Sequence, residues 1–552
     1  MKTIIVGGVA GGMSAATRLR RLDESAEIVI YEQGPHVSFA NCGLPYFIGG
    51  IIEDRSQLLL QTPQSLGNRF NLDVRVNSRV TSIDSAARTV TVRNLENGEE
   101  SVDTYDALIL SPGAKPRELP IPGFGRALTL RNVPDADRIA EAINAKPNQN
   151  VVILGAGFIG IEVAENLRHA GHAVTVVQSQ GHVLPQFDRE MIEPFQANLA
   201  AHGVSIVLGS TVTSIGKSTV ELSVGSTIAA DIVISSVGVV PDHELAVNAG
   251  LRIGEAGGIW VDDQQRTSDP NIYAVGDAAE KVNNATGEPT MIWLANLANH
   301  HGRLVADAIA GDDTAARPAI GTGIIGAFGM AAAVTGVTET FARRAGIAHS
   351  IIHLHPGSHA GYYPGAETIA LKVLFHPTTG VLLGAQAVGR DGVDKRIDVI
   401  STAIYAGLTV NDLMNLELAY APQFGSAKDA INQVGYVGNN VLSGRTPTVQ
   451  WHELEARVAA GAVILDVRTE SENADGSIPA ALHIPVDSLR ERLDDIPNGR
   501  EIIVHCKVGQ RGHTATQILR AHGINAINLD GGYLTWDAGQ SADARALASH
   551  SS

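Results

Sequence analysis

Cysteine is nearly absent. The 552 residues hold two, Cys42 and Cys506. Two cysteines cannot build a disulfide framework, which predicts a reducing compartment and a cytoplasmic protein. Long apolar runs are missing as well. No stretch of roughly 18 apolar residues occurs, so no membrane-spanning helix is expected. The apolar start at Met1 breaks at glycines too early for a signal peptide. Positive charge is in deficit: 41 Lys and Arg face 58 Asp and Glu, for a formal net charge of −17. That argues against nonspecific binding to nucleic acid or an anionic membrane. No repeat of solenoid period is present. What remains is 44% hydrophobic and 18% charged, the composition of ordinary globular domains, with length for roughly three to four of them.

Two stretches share a strand, glycine turn, helix, strand grammar. The first is KTIIVGGVAGGMSAATRLRRL followed by EIVIYE; the second is NVVILGAGFIGIEVAENLRHAGHAVTVVQ. Helix N-termini offer unpaired N–H groups and a partial positive charge, and glycine lets the backbone approach a pyrophosphate. Gly155, Gly157 and Gly160 complete G-x-G-x-x-G, with Phe158 and Ile159 inside it. In the first unit Gly7 and Gly12 are the outer glycines, Val9 takes the middle place, and Ala10 and Gly11 fill the turn. Glu32 ends the next strand about 20 residues after Gly12, where an acid would hold a ribose. Gln178 stands at the matching strand end of the second unit. The stretch QSQGHV lacks the Arg or Lys that would meet a 2′-phosphate, which favours NADH over NADPH. One glycine turn alone could be a plain βα turn; two in the same context predict two dinucleotide sites.

From about Gly321 the pattern changes to mixed strands and helices without glycine fingerprints. LSGRTPTVQW, Leu442 to Trp451, has linker composition and puts a boundary near Thr446. Beyond it AVILDVR, ALHIPV, EIIVHC and NAINLDGG form a further short α/β series.

Cys42 sits in SFANCGLPY. Gly43 and Pro45 suit a loop or helix start, where a thiolate is stabilised and accessible. A buried structural cysteine is the alternative. With no second cysteine nearby, a reactive Cys42 must cycle through a mixed disulfide, a persulfide or a sulfenic acid.

The order of these units resembles the pyridine nucleotide–disulfide oxidoreductases. TSDPNIYAVGDAAE is similar to their second FAD motif, and YDALILSPGAKP to their crossover between domains. The resemblance implies an α/β chain with two Rossmann-like domains. One binds FAD (1–113 and 252–320) and one binds NAD(P)H (114–251), followed by an α+β dimerisation domain (321–445) and hence a homodimer. It gives Asp277 the ribityl chain of FAD and sets Gly113 and Asn41 at the flavin.

SFANCGLPY and the GGVAGG turn resemble the coenzyme A–disulfide reductases, whose cysteine forms a mixed disulfide with coenzyme A. The matching positions Ser14, Arg18, Arg21, Ser38, Asn41, Arg303 and Lys428 would contact that coenzyme. Arg18 and Arg21 lie near one face of the first helix, ready for phosphates. By the same resemblance Tyr362, in SHAGYYPGAE, and Tyr420, in AYAPQFGSAKD, reach the active site of the partner subunit. A phenol there could protonate a leaving thiolate. Tyr363 fits core packing equally well, and Gln423-Phe424 replaces the family's Pro-Tyr. NADH peroxidases and oxidases, with a cysteine sulfenic acid, are the rival reading. The peroxidases carry a histidine where Ala10 stands.

EIIVHCKVGQRGHTA places Cys506 at a strand end, before a short loop and a helix. Loop N–H groups can cradle an anion there, and Lys507 and Arg511 add positive charge. This stretch resembles the rhodanese domains, as do Asp466-Val467-Arg468 and LDGGYLTW, and the resemblance implies an α/β rhodanese domain over 448–545. The family's G-H-I-P-G-A reads here Gly476-Ser477-Ile478-Pro479-Ala480-Ala481. A cysteine-dependent phosphatase needs a longer loop between Cys and Arg than Lys507 to Gln510 provide. His505 and His513 read as structural, with too few ligands for a metal. The whole chain then resembles a coenzyme A–disulfide reductase fused to a rhodanese domain. Electrons would run from NADH through FAD to Cys42 and on to coenzyme A disulfide, persulfide or polysulfide, with Cys506 and Arg511 handling sulfane sulfur. A non-catalytic flavin redox sensor is the reading of a different class.

Overall fold

The computed structural model describes residues 1–551, with side chains through Ala546. The chain divides into two compact units, Met1–Val177 with Val212–Gly321, and Gln178–Thr211 with Thr322–Ser552. The segment Gln178–Thr211, which the sequence reading places in the nicotinamide-binding stretch, groups with the second unit.

In the first unit five parallel strands run in the order Ile272–Ala274, Ala107–Leu110, Lys2–Val6, Glu27–Tyr31, Asp73–Arg75. Successive side chains of a strand face opposite ways. Ile5, Ile28 and Ile30 therefore join one core with Ala15, Ala16 and Leu19 of the helix Ala10–Leu22. Ile4, Val29 and Leu108 join another on the opposite face with Val90 and Val92 of an antiparallel ribbon. Burial on both faces is why these strands read as unbroken apolar runs. A second parallel sheet contains Ala173–Val177, Asn150–Leu154, Ile232–Ser235 and Leu128–Thr129, followed in the chain after Leu154 by the helix Phe158–His169. The glycine spacing has a steric cause in both. A Cβ on Gly12 would strike the carbonyl oxygen of Gly7, and one on Gly160 that of Gly155.

In the second unit the pairing turns antiparallel. Gly323–Ala327, Met330–Gly336, Leu382–Gly389, Ala370–Phe375 and Ser350–Leu354 form one sheet in that order, and the helix Arg189–Ala201 lies against it. After the linker, Thr448–Val449, Ala526–Leu529, Ile502–His505, Val463–Asp466 and Leu482–His483 form a parallel sheet with a core on each face. Two Rossmann-like units, an α+β domain and a C-terminal α/β domain are thus all present. Among the described residues no helix is long and apolar enough to cross a membrane.

A buried charge cluster sits between the antiparallel sheet and the helix Arg189–Ala201. Lys372 Nζ lies 2.9 Å from Asp188, 2.5 Å from Glu190 and 2.6 Å from Glu339. The three carboxylates are close enough to form a cation site, and the ammonium fills it. Burial alone would lower the lysine's pKa; the carboxylates, Glu190 foremost, overcome it and hold the pKa above its ordinary value. Removing one partner of such a group leaves uncompensated buried charge, at a cost of about 3–5 kcal/mol. Lys372→Met is expected to lose that much stability in urea unfolding at neutral pH. The loss should shrink towards pH 5, where the stranded carboxylates take up protons. An unchanged unfolding midpoint would show that water relieves the acids.

Candidate active site

Cys42 lies in the 3-10 turn Asn41–Gly43, just before the helix Leu44–Ile48, and is exposed. A backbone bond ties this segment to the first glycine turn. Ser38, at φ +47°, donates its N–H to the Gly8 carbonyl at 2.8 Å. The expected stabilised thiolate is not what the surroundings provide. Although the residue is open to solvent, packed neighbours partly desolvate the Cys42 thiol, and this, then the charges of Glu162 and Asp277, push it up. The helix that follows has five residues, too few to build a strong dipole against those two acids.

At the first glycine turn the helix starts at Ala10 with Val9 as its cap, and no side chain caps it. Gly12 donates to Ser111 Oγ at 3.0 Å. Glu32 accepts the N–H groups of Gly8 at 2.9 Å and Gly34 at 2.7 Å, which holds its carboxylate at the mouth of the turn; burial still pushes its pKa up. Gly113, at φ +75°, opens the crossover. Asp277 sits in the turn Gly276–Ala278, and burial raises its pKa against the pull of Lys281 and Arg131. Lys281 donates to the carbonyls of Gly276 and Ala279, and burial brings it down to about 8. His301 is buried with Nδ1 unpartnered. Burial, then Lys281 and His300, lower it to about 4. An uncapped glycine turn, a carboxylate at its mouth and an orphaned buried nitrogen near Lys281 fit a large cofactor with many hydrogen-bonding groups. FAD is such a group, and Gly7, Val9, Ala10, Gly11, Gly12, Glu32, Gly113 and Asp277 are the residues that would hold it.

The second turn has the same form. Gly155 takes φ +94°, Gly157 caps the helix that starts at Phe158 and Ile159, and the space beside Gly157 is open. One turn further on, Glu162 accepts a hydrogen bond from Tyr46, and burial and Glu165 push it up to about 7. Nothing in the sequence marked Glu162; only the fold brings it to the Cys42 segment. Gln178 is held through backbone bonds, its N–H on Val207 and its carbonyl accepting from Ser210.

The expected coenzyme contacts separate on inspection. Arg18 is already paired with Asp307 at 2.6 Å. Arg303 lies 3.9 Å from the same acid and is largely exposed. Arg21 carries its guanidinium over Phe70, 5.1 Å from the ring centre. Of Arg18 and Arg21, Arg21 is therefore the one without an acid partner. Ser14 donates to Asn299 at 2.6 Å. Asn41 is exposed.

In the second unit Tyr362 and Tyr420 are exposed and their hydroxyls lie 2.8 Å apart. That bond raises the Tyr362 pKa. Lys428 is exposed nearby in sequence. Tyr363 is exposed too and meets His359 edge-on, at 5.7 Å between ring centres, so it is not a core residue.

Cys506 is buried. Its Sγ accepts the Gly509 N–H at 3.1 Å, and Gly509 takes φ +93° to begin the helix Gln510–Ala521. The loop turns tightly inward, which both buries the sulfur and aims backbone donors at it. Arg511 hydrogen-bonds Cys506 and makes a paired contact with Glu472, 2.7 Å to each oxygen. That pair, its hydrogen bond first, lowers Glu472 to about 2. Burial lowers His505 to about 4, and both its ring nitrogens lack hydrogen-bond partners. Ala480 stands at φ +61°, a left-handed conformation that explains why glycine is the family residue there.

Three family models match: pyridine nucleotide-disulphide oxidoreductase over residues 1–295, its dimerisation domain over 326–430, and a rhodanese-like domain over 450–538. A coenzyme A disulfide reductase of Staphylococcus aureus is 35% identical over 438 residues, 79% of this chain and 99% of that protein. The crystal structure of reduced Bacillus anthracis CoADR-RHD is 44% identical with a TM-score of 0.96, covering 97% of this chain and 98% of its own. A NAD-dependent persulfide reductase from A. fulgidus is 36% identical with a TM-score of 0.91, covering 97% and 100%.

Proposed function

Because the chain belongs to the pyridine nucleotide-disulphide oxidoreductase family, which binds FAD and NAD(P)H, we propose that it is an NADH-dependent flavoprotein reductase of coenzyme A disulfide, coenzyme A persulfide or polysulfide. Its rhodanese domain handles sulfane sulfur. The observation that carries this reading is Cys42: a lone, exposed thiol on a segment that Ser38 ties by its N–H to Gly8 of the first glycine turn. The likeness to a coenzyme A disulfide reductase and to a persulfide reductase, the latter along nearly the whole chain, supports it. So does the absence of Arg or Lys between Gln178 and Phe187, which leaves no such partner there for a 2′-phosphate and favours NADH.

When bound, the flavin supplies an electron pair drawn from the nicotinamide. The chain's residues do the rest. The Cys42 thiolate attacks one sulfur of the substrate, forming a Cys42–S–S–R bond as the substrate S–S bond breaks and RS⁻ leaves. Two electrons and a proton then release the second RSH, so that NADH, H⁺ and RSSR yield NAD⁺ and two RSH. In a homodimer the Tyr362–Tyr420 pair of one subunit would serve the Cys42 of the other, giving a proton to the departing thiolate. Arg21, Arg303 and Lys428 would meet the phosphates of the coenzyme.

Steady-state NADH oxidation with coenzyme A disulfide, coenzyme A persulfide, polysulfide, oxygen and peroxide, side by side, tests the reading. At least one sulfur substrate should turn over at least about tenfold faster than oxygen or peroxide. Turnover with oxygen or peroxide alone would make the chain an oxidase or peroxidase, and none at all would leave a redox sensor.

A further inference from the structure

Asp530 and His353 are far apart in sequence and joined in the interior of the second unit. His353, on the strand Ser350–Leu354, points its backbone N–H and its Nδ1 at one oxygen of Asp530, at 2.9 and 2.7 Å. Gln450 donates to the same oxygen at 3.2 Å. Asp530 follows the strand Ala526–Leu529 and is followed by Gly531 and Gly532, at φ +67° and +65°. Neither glycine has room for a side chain. A Cβ on Gly531 would come 2.7 Å from the His353 Cβ, and one on Gly532 would come 2.5 Å from the Cys506 carbonyl oxygen and 2.8 Å from the Gly509 nitrogen. Next in the chain, Tyr533 and Leu534 donate their N–H groups to the carbonyls of Cys506 and Lys507 at 2.8 and 3.1 Å. His355 adds a second tie, 2.8 Å from Thr535 Oγ1.

We propose that Asp530 and His353 are positioning residues for the Cys506 loop, through which the antiparallel sheet holds the sulfane-sulfur site in its working geometry. Two residues separate the buried Asp530 carboxylate from the peptide bonds that carry Cys506, and both are locked by close contact. Loss of the His353 bond lets Asp530 shift, and the two glycines pass that shift to the loop whose Gly509 N–H meets Sγ. A displacement of about 1 Å is enough to misaim such a donor.

The seam has its own pH range. The charged groups facing His353 are Asp530, Glu190 at 3.4 Å from the helix Arg189–Ala201, and Lys372 opposite it on the next strand. Asp188 and Glu339 lie behind Lys372, and His355 is two residues further along the chain, just past the strand. Burial would lower His353, but Asp530 and Glu190 overcome it and bring it to about 9, while burial keeps His355 neutral, at about 3. A raised histidine pKa stabilises below its unfolded value and loses that contribution as pH rises through about 9. Above that pH the ring has one N–H left for two acids.

This inference rests on the reading of Cys506 as a sulfur carrier, so its test uses one assay that needs that reading and one that does not. The first is sulfur transfer from thiosulfate to cyanide by the full chain. Cys506 thiolate takes the outer sulfur and sulfite leaves; cyanide then takes the sulfur as thiocyanate and restores the thiolate. The second is the rate of Cys506 alkylation by iodoacetamide in a Cys42→Ser background. Asp530→Asn should lower kcat for transfer at least tenfold with KM for thiosulfate within twofold, raise the alkylation rate several-fold, and leave Cys42-dependent disulfide reduction unchanged. His353→Gln should remove the fall in transfer near pH 9, a change that a merely structural lesion would not make. If Asp530→Asn does not fold, His353→Gln decides by the same two assays. Unchanged alkylation in the folded variants overturns the proposal. A parent chain that transfers no sulfur overturns the carrier reading instead, while the alkylation comparison still decides the positioning role.

Discussion

Cys42→Ser should lower NADH-driven reduction of disulfide or persulfide by at least about 10³-fold while the flavin stays bound. The attacking atom in the proposed reaction is a thiolate, and a serine hydroxyl is neither ionised at neutral pH nor able to form and release an S–S bond. The chain holds no second cysteine near Cys42 to substitute for it. The residues that would hold the flavin are backbone groups of the first glycine turn, Glu32 and Asp277, and the substitution touches none of them. The purified variant should therefore be yellow with the parent's flavin content, and NADH should still bleach it in a stopped-flow mixing experiment. Only the step that returns colour on adding substrate should be lost. Turnover of the variant within tenfold of the parent would remove Cys42 from the mechanism. Loss of flavin would mean that the thiol serves the fold.

The parts of this protein that were legible in the sequence are those whose physical demands are local. Gly7 and Gly12, and Gly155 and Gly160, meet each other across one short turn into a helix, so their spacing is written in a few neighbouring residues. The Cys506 loop is likewise a short segment whose donors come from its own backbone. What stayed hidden depends on long-range contacts. Lys372 with Asp188, Glu190 and Glu339 satisfies buried charge through residues that share no period. Arg18 reads as a phosphate ligand from its place on a helix, yet Asp307, far along the chain, claims it. Glu162 looks like any helical acid until Tyr46 bonds to it. The burial of Cys506 is hidden for the opposite reason. Its strand end and loop are legible in the sequence, but a loop that aims a donor at a sulfur must also close over it. Exposure does not follow from residue types alone.

Cys506→Ser should abolish sulfur transfer from sulfane donors, by at least about 10³-fold, and keep reduction of small disulfides near the parent rate. The two activities separate because their chemistry does. Cleaving a small disulfide needs Cys42 and an electron pair. Loading sulfane sulfur needs a thiolate that becomes a persulfide inside a loop of N–H donors. The Cys506 Sγ has such donors in Gly509 and Arg511, while serine offers an oxygen that forms no persulfide. In the proposed reaction coenzyme A carries sulfur between the two thiols. Its thiol ends a long flexible arm, so it can take sulfur from one cysteine and present it to the other without the two cysteine sulfurs meeting. Polysulfide reduction by the parent chain should accordingly rise on adding coenzyme A, and the variant should lose that rise. Equal loss of polysulfide and small-disulfide reduction in the variant would mean that the rhodanese domain only supports the fold. No loss of either would mean that Cys506 is idle on these substrates and that polysulfide reaches Cys42 directly.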